Sequence, residues 1–325
     1  MLEKIDISVV VPLFNEEESI VELTDWIKKV MDAHHFTYEV ILVDDGSNDR
    51  SWQVITDINK DNINCKGIKF NRNYGKSAAL HTGFQKTIGE VVITMDADLQ
   101  DSPDEIPALY KMIKEEGYEL VSGWKKKRHD PISKTIPSKF FNGVTRMISG
   151  IKLHDFNCGL KAYDRRVVKN IRVYGEMHRY IPVIAKWNGF AKIGEKEVTH
   201  RERKYGTTKF GLERFIHGFL DLLSITFVSK FKKQPMHFFG MWGTISFLLG
   251  FAFTVKVIWD KLSAIYIYKT PVVREITDQP LFFLALVALV VGVQLFLVGF
   301  LAEMLTMNSS SRNEYIVSDQ LGVDH

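Results

Sequence analysis

The sequence predicts an α/β domain with a mainly parallel sheet, followed by a membrane anchor. Short segments rich in Val and Ile alternate with helical patterns over the first hundred or so residues, and hydropathy changes sharply near Gln234. Strands that alternate with helices form parallel sheets covered on both faces, as in Rossmann-like domains. The strand-like segments are Ile7 to Pro12, Glu39 to Val43, Gly67 to Phe70 and Glu90 to Met95, and the helical patterns are Glu17 to Ala33, Ser51 to Lys60 and Ser77 to Thr87.

Two long apolar runs follow Gln234. They are Met236 to Trp259 and Leu281 to Met304, and each is long enough to cross a hydrocarbon core of about 30 Å as a helix. Lys256 lies near the end of the first run, where it can reach the interface, and no charge falls between Leu281 and Ala302. Buried core helices are the alternative, but the lack of a polar face favours two transmembrane helices.

Flanking charges predict the orientation of these helices. Three lysines lie at Lys230, Lys232 and Lys233 before the first run, and Arg312 follows the second. The loop from Asp260 to Pro280 instead mixes basic and acidic residues. The positive-inside rule therefore places both termini in the cytoplasm, and no cleavable signal peptide is visible at the N-terminus.

A third apolar pattern precedes the first span. Residues Phe210 to Phe231 alternate aromatic and aliphatic side chains with charged ones, which is typical of an interfacial amphipathic helix. We therefore divide the chain into an α/β domain at 1–209, an interfacial region at 210–233, a two-helix transmembrane anchor at 234–307 and a cytoplasmic tail at 308–325.

Composition narrows the class of protein. The 325 residues are 46% hydrophobic, enough to bury a real core, and 42 basic against 39 acidic side chains leave a net charge of +3. This balance argues against a nucleic-acid binder and against a disordered acidic or basic chain. Cys65 and Cys158 stand far apart, so neither a disulfide framework nor a zinc site is predicted.

Polar and acidic residues follow the predicted strands. Asp44 and Asp45 come after the second strand, and Asp96, Asp98 and Gln100 come after the fourth. In open parallel sheets, ligands bind beyond the carboxyl ends of the strands. Carboxylate and amide oxygens suit Mg²⁺ or Mn²⁺, with phosphate oxygens completing the shell. A lone Asp-x-Asp motif is weak evidence for a metal site. Its position directly after a predicted strand nevertheless makes it a candidate.

Four ordered motifs resemble those of a known family. They are Pro12-Leu13-Phe14-Asn15-Glu16, Val43-Asp44-Asp45-Gly46-Ser47, Arg72-Asn73-Tyr74-Gly75-Lys76 and Asp96-Ala97-Asp98-Leu99-Gln100. Together they resemble the signatures of inverting family 2 glycosyltransferases, whose catalytic domain has the GT-A fold. The closer resemblance, which covers nearly the whole chain, is to the polyprenyl-phosphate enzymes, the group of dolichyl-phosphate mannose synthase and bactoprenol glucosyltransferase.

The resemblance implies roles for particular residues. Asp45 would hydrogen-bond the nucleobase, with Pro12 and Phe14 beside it, and Lys76 would meet phosphate. Asp96, Asp98 and Gln100 would hold Mg²⁺ or Mn²⁺ against the diphosphate. The implied nucleotide-sugar residues are Pro12, Phe14, Glu16, Asp45, Lys76, Asp96, Asp98, Arg203 and Lys209. An Asx turn at Asp44 and Asp45, and a surface charge at Lys76, are the structural alternatives.

A second set of implied residues lies toward the acceptor. Asp155 matches the family's proposed catalytic carboxylate, beside Asp98 and Arg203 as catalytic groups. Because a lipid phosphate is already ionised, Asp155 is either a true base or a residue that orients groups. Glu176, His178 and Arg179 match a motif near the sugar, and His178 has an equally good structural interpretation. Lys125, Arg128 and Lys139 would receive the acceptor phosphate, although the family usually has Arg where Lys125 stands, and the alternative for this basic run is a solvated face.

The resemblance implies a metal-dependent, inverting transfer of one sugar, with UDP favoured over GDP as carrier, to a polyprenyl phosphate at the cytoplasmic membrane face. It also implies a homo-oligomer such as a tetramer. The alternatives are a membrane polysaccharide synthase of the same superfamily and a catalytically silent membrane scaffold. A synthase usually carries Gln-x-x-Arg-Trp and further spans, which this sequence lacks.

Overall fold

The computed structural model describes residues 5–126, 142–175, 177–201, 235–269, 275–308 and 317–322. The chain forms two compact units, one of residues 1–226 together with 312–325, and one of residues 227–311. The first unit is α/β and the second is a pair of helices. The predicted amphipathic helix at Phe210 to Phe231 lies outside the described residues.

An eight-stranded sheet forms the centre of the described part of the first unit, in the order β7-β5-β6-β4-β1-β2-β3-β8. Its strands are β1 (Ile7–Leu13), β2 (Tyr38–Asp44), β3 (Cys65–Phe70), β4 (Val91–Thr94), β5 (Leu120–Trp124), β6 (Lys161–Asp164), β7 (Ile193–Glu197) and β8 (Val317–Leu321). The four strands predicted from the sequence are β1 to β4, so the prediction of an α/β domain with a mainly parallel sheet is confirmed.

The chain order of the parallel strands creates a switch point between β1 and β4. From β1 the chain moves outward to β2 and β3, and then returns to place β4 on the other side of β1, with all these pairs parallel. The crossovers therefore leave a crevice at the carboxyl ends of β1 and β4, where ligands bind in open α/β sheets. β6 runs antiparallel to β4, so it begins at this same edge, where Lys161 pairs with Thr94.

Helices cover both faces of the sheet. They are α1 (Ile20–Ala33), α2 (Ser51–Asp61), α3 (Lys76–Lys86), α4 (Ile106–Lys114), α5 (Arg165–Asn170) and α6 (Ile181–Trp187). Alternation along β1 sends Val9 and Val11 into one apolar layer and Val10 into the other. The buried face of α1 follows helical spacing, with Ile20, Leu23 and Ile27 fully enclosed in the first layer. Both faces of the sheet are thus packed, which holds the loops at its carboxyl edge.

The C-terminal residues add a strand that the sequence analysis assigned to a tail. β8 pairs antiparallel with β3, with Ile68 opposite Gln320 and Lys69 opposite Asp319. Its sequence, Val-Ser-Asp-Gln-Leu, is too polar and too short to be predicted as a strand. β8 covers the edge of β3, which would otherwise present unpaired backbone groups to solvent.

Most of the described part of the second unit is two long helices, α7 (Pro235–Tyr266) and α8 (Pro280–Asn308). Both are long and apolar enough to span a membrane, and only 17% of the apolar window of α7 and 11% of that of α8 is buried. A core helix of a soluble protein would be mostly enclosed, so this exposure disagrees with the alternative of buried core helices. Glycines bring the two backbones close together: a Cβ on Gly292 would lie 2.7 Å from the backbone nitrogen of Phe247.

Candidate active site

A cleft of about 280 Å³ opens at the switch point of the sheet. It lies beyond β1 and β4 and is closed on one side by the chain that leads into β6. Three of its side chains carry charge: Lys76, Asp96 and Lys161. The lining residues are Pro12, Lys76, Leu80, Thr94, Met95, Asp96, Asn157, Cys158, Gly159, Lys161, Tyr163, His178 and Ile181.

Asp96 and Lys76 form an ion pair inside this cleft. Asp96 follows β4, Lys76 is the first residue of α3, and the ammonium donates to Asp96 Oδ1. About a third of each side chain remains exposed, at 34% for Lys76 and 33% for Asp96. Burial would raise the pKa of Asp96, but the positive charges of Lys76, Lys125 and Lys161 outweigh burial and lower that pKa to about 2. Asp96 is therefore ionised at neutral pH.

The Asp96 carboxylate occupies space that a side chain at Gly159 would need. A Cβ at this glycine would lie 2.5 Å from Asp96 Oδ2, 2.6 Å from its Cγ and 2.8 Å from its Oδ1. A side chain at this position would have to displace the Asp96 carboxylate, so glycine lets the loop before β6 pass this close to it.

Lys161 is a buried cation that the sequence analysis missed. It is only 3% exposed, and its ammonium donates to the carbonyl oxygen of Cys158. Burial lowers the pKa of this lysine. A charged residue inside the otherwise apolar run from Leu160 to Tyr163 is the sequence signal that could have identified it.

The loop after β4 holds the other two predicted metal ligands. Asp98 Oδ1 accepts a hydrogen bond from the backbone N–H of Gln100 at 3.2 Å. Between them Leu99 adopts a left-handed backbone with φ 60°, a strained conformation for a branched side chain, while that side chain is buried in the core. Packing of Leu99 thus holds a turn that fixes the backbone between Asp98 and Gln100.

This loop suits a divalent cation. Among the described residues, no three His, Cys, Asp or Glu side chains gather as a ready-made metal cage. Asp96, Asp98 and Gln100 nevertheless offer hard oxygen atoms, and an ammonium already rests on Asp96. These three side chains have the kind of oxygen ligand that Mg²⁺ or Mn²⁺ prefers, and phosphate oxygens would supply the remaining ligands.

Asp45 holds the loop that leads to Lys76. Its Oδ1 accepts from the backbone N–H of Tyr74 at 2.7 Å, and its Oδ2 accepts from that of Gly75 at 2.9 Å. Burial raises the pKa of this carboxyl to about 6, although the two backbone hydrogen bonds oppose the increase. Asp45 is thus a structural clamp in this structure, and its contact with a nucleobase stays a prediction.

The chain is similar to known proteins over most of its length. The family model described as glycosyl transferase family 2 matches residues 8–172, from β1 through the loops of the cleft and beyond β6. A dodecaprenyl-phosphate galacturonate synthase from Rhizobium johnstonii is 34% identical over 307 residues, which cover 94% of this chain and 88% of that protein. The chain belongs to glycosyl transferase family 2.

Other family 2 relatives are similar over most of the chain. An undecaprenyl-phosphate 4-deoxy-4-formamido-L-arabinose transferase from Pectobacterium atrosepticum is 36% identical over 259 residues, covering 79% of this chain and 77% of that protein. Among solved structures, glucosyl-3-phosphoglycerate synthase from Mycobacterium tuberculosis with Mn²⁺ and UDP-glucose aligns at 20% identity. The alignment covers 69% of this chain and 78% of that one, with a TM-score of 0.53. This likeness shows the GT-A fold.

The remaining donor-side residues of this family 2 chain lie at the same edge. Pro12 lines the cleft, and Phe14 is 37% exposed at the end of β1. The Glu16 carboxylate accepts from the Ser19 hydroxyl at 3.2 Å, so it supports the start of α1. An exposed aromatic ring such as Phe14 offers a surface on which a nucleobase can stack.

Asp155 is buried and binds its own loop. It is 1% exposed, and its Oδ1 accepts from the backbone N–H of Asn157 at 3.0 Å. Its backbone N–H donates to Glu195 Oε1 at 3.1 Å. These contacts fit the interpretation of a residue that orients the loop, and a role as a base stays a prediction.

Lys125 contacts a carboxylate next to the predicted metal ligands. Its ammonium lies 2.8 Å from Asp101 Oδ1, and the Lys125 and Asp101 side chains are 13% and 0% exposed. Burial alone would lower the pKa of Lys125, but Asp101 raises it above its usual value. Because Asp101 follows Gln100, this pair braces the loop after β4, and binding of an acceptor phosphate by Lys125 stays a prediction.

His178 is fixed by Ser77, a residue the sequence analysis did not identify as part of the site. The Ser77 hydroxyl accepts the backbone N–H of His178 at 3.0 Å and lies 3.1 Å from its Nδ1. A hydroxyl both donates and accepts, so Ser77 can hydrogen-bond Nδ1 in either tautomer of the ring. Burial and the neighbouring cations hold the pKa of His178 well below its usual value, so the ring is neutral.

Several predicted residues lie outside the described part of the chain. They are Glu176 and four cations assigned to donor or acceptor phosphates: Arg128, Lys139, Arg203 and Lys209. Arg179, beside His178, is described and partly buried. The structure therefore brings together Pro12, Lys76 and Asp96, from the predicted donor side, and His178, predicted near the sugar, around one cleft.

Proposed function

We propose that this family 2 glycosyltransferase moves a single sugar from a nucleotide diphosphate sugar, with a UDP-hexose as the favoured donor, to a polyprenyl phosphate. The observation that carries the proposal is the cleft at the switch point, where Lys76, Asp96 and Lys161 meet the carboxyl ends of β1 and β4. The names of two relatives, a dodecaprenyl-phosphate synthase and an undecaprenyl-phosphate transferase, support the class of acceptor.

A divalent cation, Mg²⁺ or Mn²⁺, would be held by Asp96, Asp98 and Gln100. When bound, it would neutralise charge on the leaving nucleoside diphosphate. Lys76 would contact the same diphosphate, and Arg203 and Lys209 would do so from the segment before the membrane anchor. Stabilisation of the leaving group by fixed cations is the main electrostatic contribution we assign to this site.

The acceptor needs positioning more than activation. A lipid phosphate monoester is ionised near neutral pH, so its oxygen can attack the sugar C1 from the face opposite the leaving group, with inversion. The burial of Asp155 supports a role in ordering the loop beside Cys158 and Gly159. Cations at Arg128 and Lys139, together with Lys125, would hold the lipid phosphate.

The C-terminal strand supports the proposed membrane topology. β8 belongs to the same sheet as β1 to β7, although α7 and α8 separate it from them in sequence. If α7 and α8 both cross the membrane, the chain must return to the side from which it left. We therefore infer a helical hairpin, with the catalytic unit and both termini on the cytoplasmic face and the α7–α8 connection on the other.

We also propose that the chain forms a homo-oligomer, such as a tetramer, within the membrane. Gln294 is exposed in the middle of α8 and makes no hydrogen bond with any described residue. Val287 and Leu301, exposed one heptad to each side, extend this face. An amide both donates and accepts, so the amide of a second copy would satisfy the hydrogen bonds of Gln294 in hydrocarbon.

Gln294→Leu should give smaller particles in light scattering, whereas Val293→Leu should not. Particles of unchanged size with Gln294→Leu would refute this contact.

A transfer assay tests the proposed activity. Purified full-length protein is incubated with polyprenyl phosphate and a panel of labelled UDP- and GDP-sugars, with Mn²⁺, Mg²⁺ or a chelator. We expect label in the lipid fraction with one donor, dependent on the cation and lost in Asp98→Ala. The absence of labelled lipid with every donor would refute the proposal and favour a silent scaffold.

A further inference from the structure

The ion pair between Lys76 and Asp96 places a protein cation where the metal is expected. The ammonium of Lys76 donates directly to one oxygen of the Asp96 carboxylate. A divalent cation bound to that oxygen would lie beside the ammonium, and two positive charges at such a separation repel each other strongly. The two cations therefore compete for Asp96.

The Asp96 carboxylate is bordered by the loop before β6 and by a second basic residue. The backbone of Gly159 lies against the carboxylate, so close that a Cβ there would approach all three carboxyl atoms to within 2.8 Å. Lys161, a buried cation, lines the same cleft. Movement of the carboxylate toward that loop would bring it onto Gly159, and the neighbouring Lys161 is itself fixed by the Cys158 carbonyl.

Lys76 is the partner that can move. Its four-carbon side chain is 34% exposed and can swing over several ångströms, whereas the Asp96 carboxylate is carried on a single methylene group. Asp45 holds the backbone N–H groups of Tyr74 and Gly75, so the loop itself stays in place. A long, flexible lysine side chain on a fixed backbone can turn from one anionic partner to another.

We propose that Lys76 is an exchangeable counter-ion for Asp96, which makes the binding of metal and of nucleoside diphosphate interdependent. This inference rests on the proposed function. The incoming diphosphate gives Lys76 a new anionic partner, and Asp96 is then released to the divalent cation that the same diphosphate brings. Each ligand therefore strengthens the binding of the other, and by thermodynamic linkage the two enhancements are equal.

The effect of removing Lys76 distinguishes this exchange from a simpler explanation, in which the metal and Lys76 only bind the same phosphate groups. If phosphate merely completed the metal's shell, removal of Lys76 would leave the affinity for metal alone unchanged. If Lys76 competes for Asp96, its removal must strengthen the binding of metal alone while it weakens the binding of nucleotide. Lys76 acts here through Asp96 on the metal, in addition to its own contact with phosphate.

The test measures Mn²⁺ binding to the full-length protein by electron paramagnetic resonance, with and without UDP. The variant is Lys76→Met, and the matched control is Lys114→Met, because Lys114 makes a 2.7 Å ion pair with Glu90 of similar exposure outside the cleft. Melting curves identify any misfolded variant, and Lys76→Gln provides a second substitution. The arm with Mn²⁺ alone does not depend on which nucleobase the donor carries.

We expect Lys76→Met to bind Mn²⁺ alone about ten-fold more tightly than wild type, a free-energy difference of about 1.4 kcal/mol. We expect UDP to enhance Mn²⁺ binding less in this variant than in wild type, and Lys114→Met to match wild type. An affinity of Lys76→Met for Mn²⁺ alone that equals or falls below that of wild type would overturn the inference. Failure of all proteins to bind Mn²⁺ even with UDP would refute the metal site as well, whereas the transfer assay tests the activity separately.

Discussion

Individual residues in the cleft are held by contacts with residues that are distant in sequence, so no short motif predicts these contacts. Asp96 is recognisable in the sequence because it follows a strand, yet its position depends on Gly159, which is 63 residues later in the chain. Lys161 and Ser77 reach the site in the same way, from elements whose packing only the folded chain reveals. The sequence therefore indicated Lys76 and Asp96 but not Lys161, and the structure adds the contacts that hold them.

The contact between Gly159 and Asp96 yields a residue-scale prediction. Gly159→Ala would push the carboxylate from its place, and a displacement of about 1 Å in an active site can cost about 100-fold in rate. We expect a loss of this order in kcat for sugar transfer, with folding retained. Gly143→Ala is the matched control, because no described atom lies within 4 Å of a Cβ there. Equal rates for Gly159→Ala and wild type would contradict this role for Gly159.

The raised pKa of Asp45 predicts a pH dependence of stability. Its pKa is 3.8 ordinarily and about 6 in the folded protein, so between pH 4 and 6 the folded state holds a proton that the unfolded state has released. The stability contributed by Asp45 therefore falls as pH rises through this window, by up to about 3 kcal/mol.

Asp45→Asn lacks this titration and serves as the reference. We expect wild type to lose stability relative to Asp45→Asn between pH 4 and pH 6, as measured by thermal unfolding of both proteins in detergent. A difference in melting temperature that stays constant across this range would show that burial does not raise the pKa of Asp45.

At the scale of elements, the order of strands and helices could be predicted from periodicity. The first four strands coincide with Val- and Ile-rich runs, and the helices between them show helical spacing of apolar residues. β5 to β7 were not predicted. β8 was assigned to a tail because its sequence is short and polar and it forms only by pairing with β3. Tertiary pairing outweighs local preference in such edge strands.

The helical hairpin of α7 and α8 depends on glycine contacts. A Cβ on Gly292 would lie 2.7 Å from the backbone nitrogen of Phe247 and 2.8 Å from the carbonyl oxygen of Gly243. We expect Gly292→Leu to separate the helices and to destabilise the hairpin by about 1–3 kcal/mol, the usual cost of overpacking. Gly240→Ala, whose Cβ would meet only the flexible Met236 side chain at 3.2 Å, is the control. Identical melting temperatures for Gly292→Leu and wild type in detergent would contradict this packing.

The whole molecule combines a nucleotide-binding sheet with two apolar helices, and the return of the chain to that sheet constrains its topology. Both native cysteines are buried, so introduced cysteines can be labelled selectively. In sealed right-side-out vesicles, an impermeant maleimide should label Tyr268→Cys, which lies just beyond α7 at a position where the side chain is 73% exposed. Ile63→Cys, 82% exposed in the catalytic unit, should react only after lysis. Labelling of Ile63→Cys in sealed vesicles would refute the topology.

The overall architecture was more predictable than the acceptor side of the site. Parallel strands bring their carboxyl ends to one edge, so Asp45, Lys76 and Asp96 could be expected near each other. The burial of Lys125 against Asp101 could not be predicted from the sequence. It arises from the pairing of β5 with its neighbours and not from the basic run to which Lys125 belongs.

The most direct test of the central claim is the identity of the two products. With polyprenyl phosphate, the active donor and a divalent cation, we predict that nucleoside diphosphate is released in equal amount to a lipid whose mass contains the sugar and one phosphate. Asp98→Ala should form neither. Release of nucleoside monophosphate with a lipid diphosphate sugar, or full product formation by Asp98→Ala, would contradict the account.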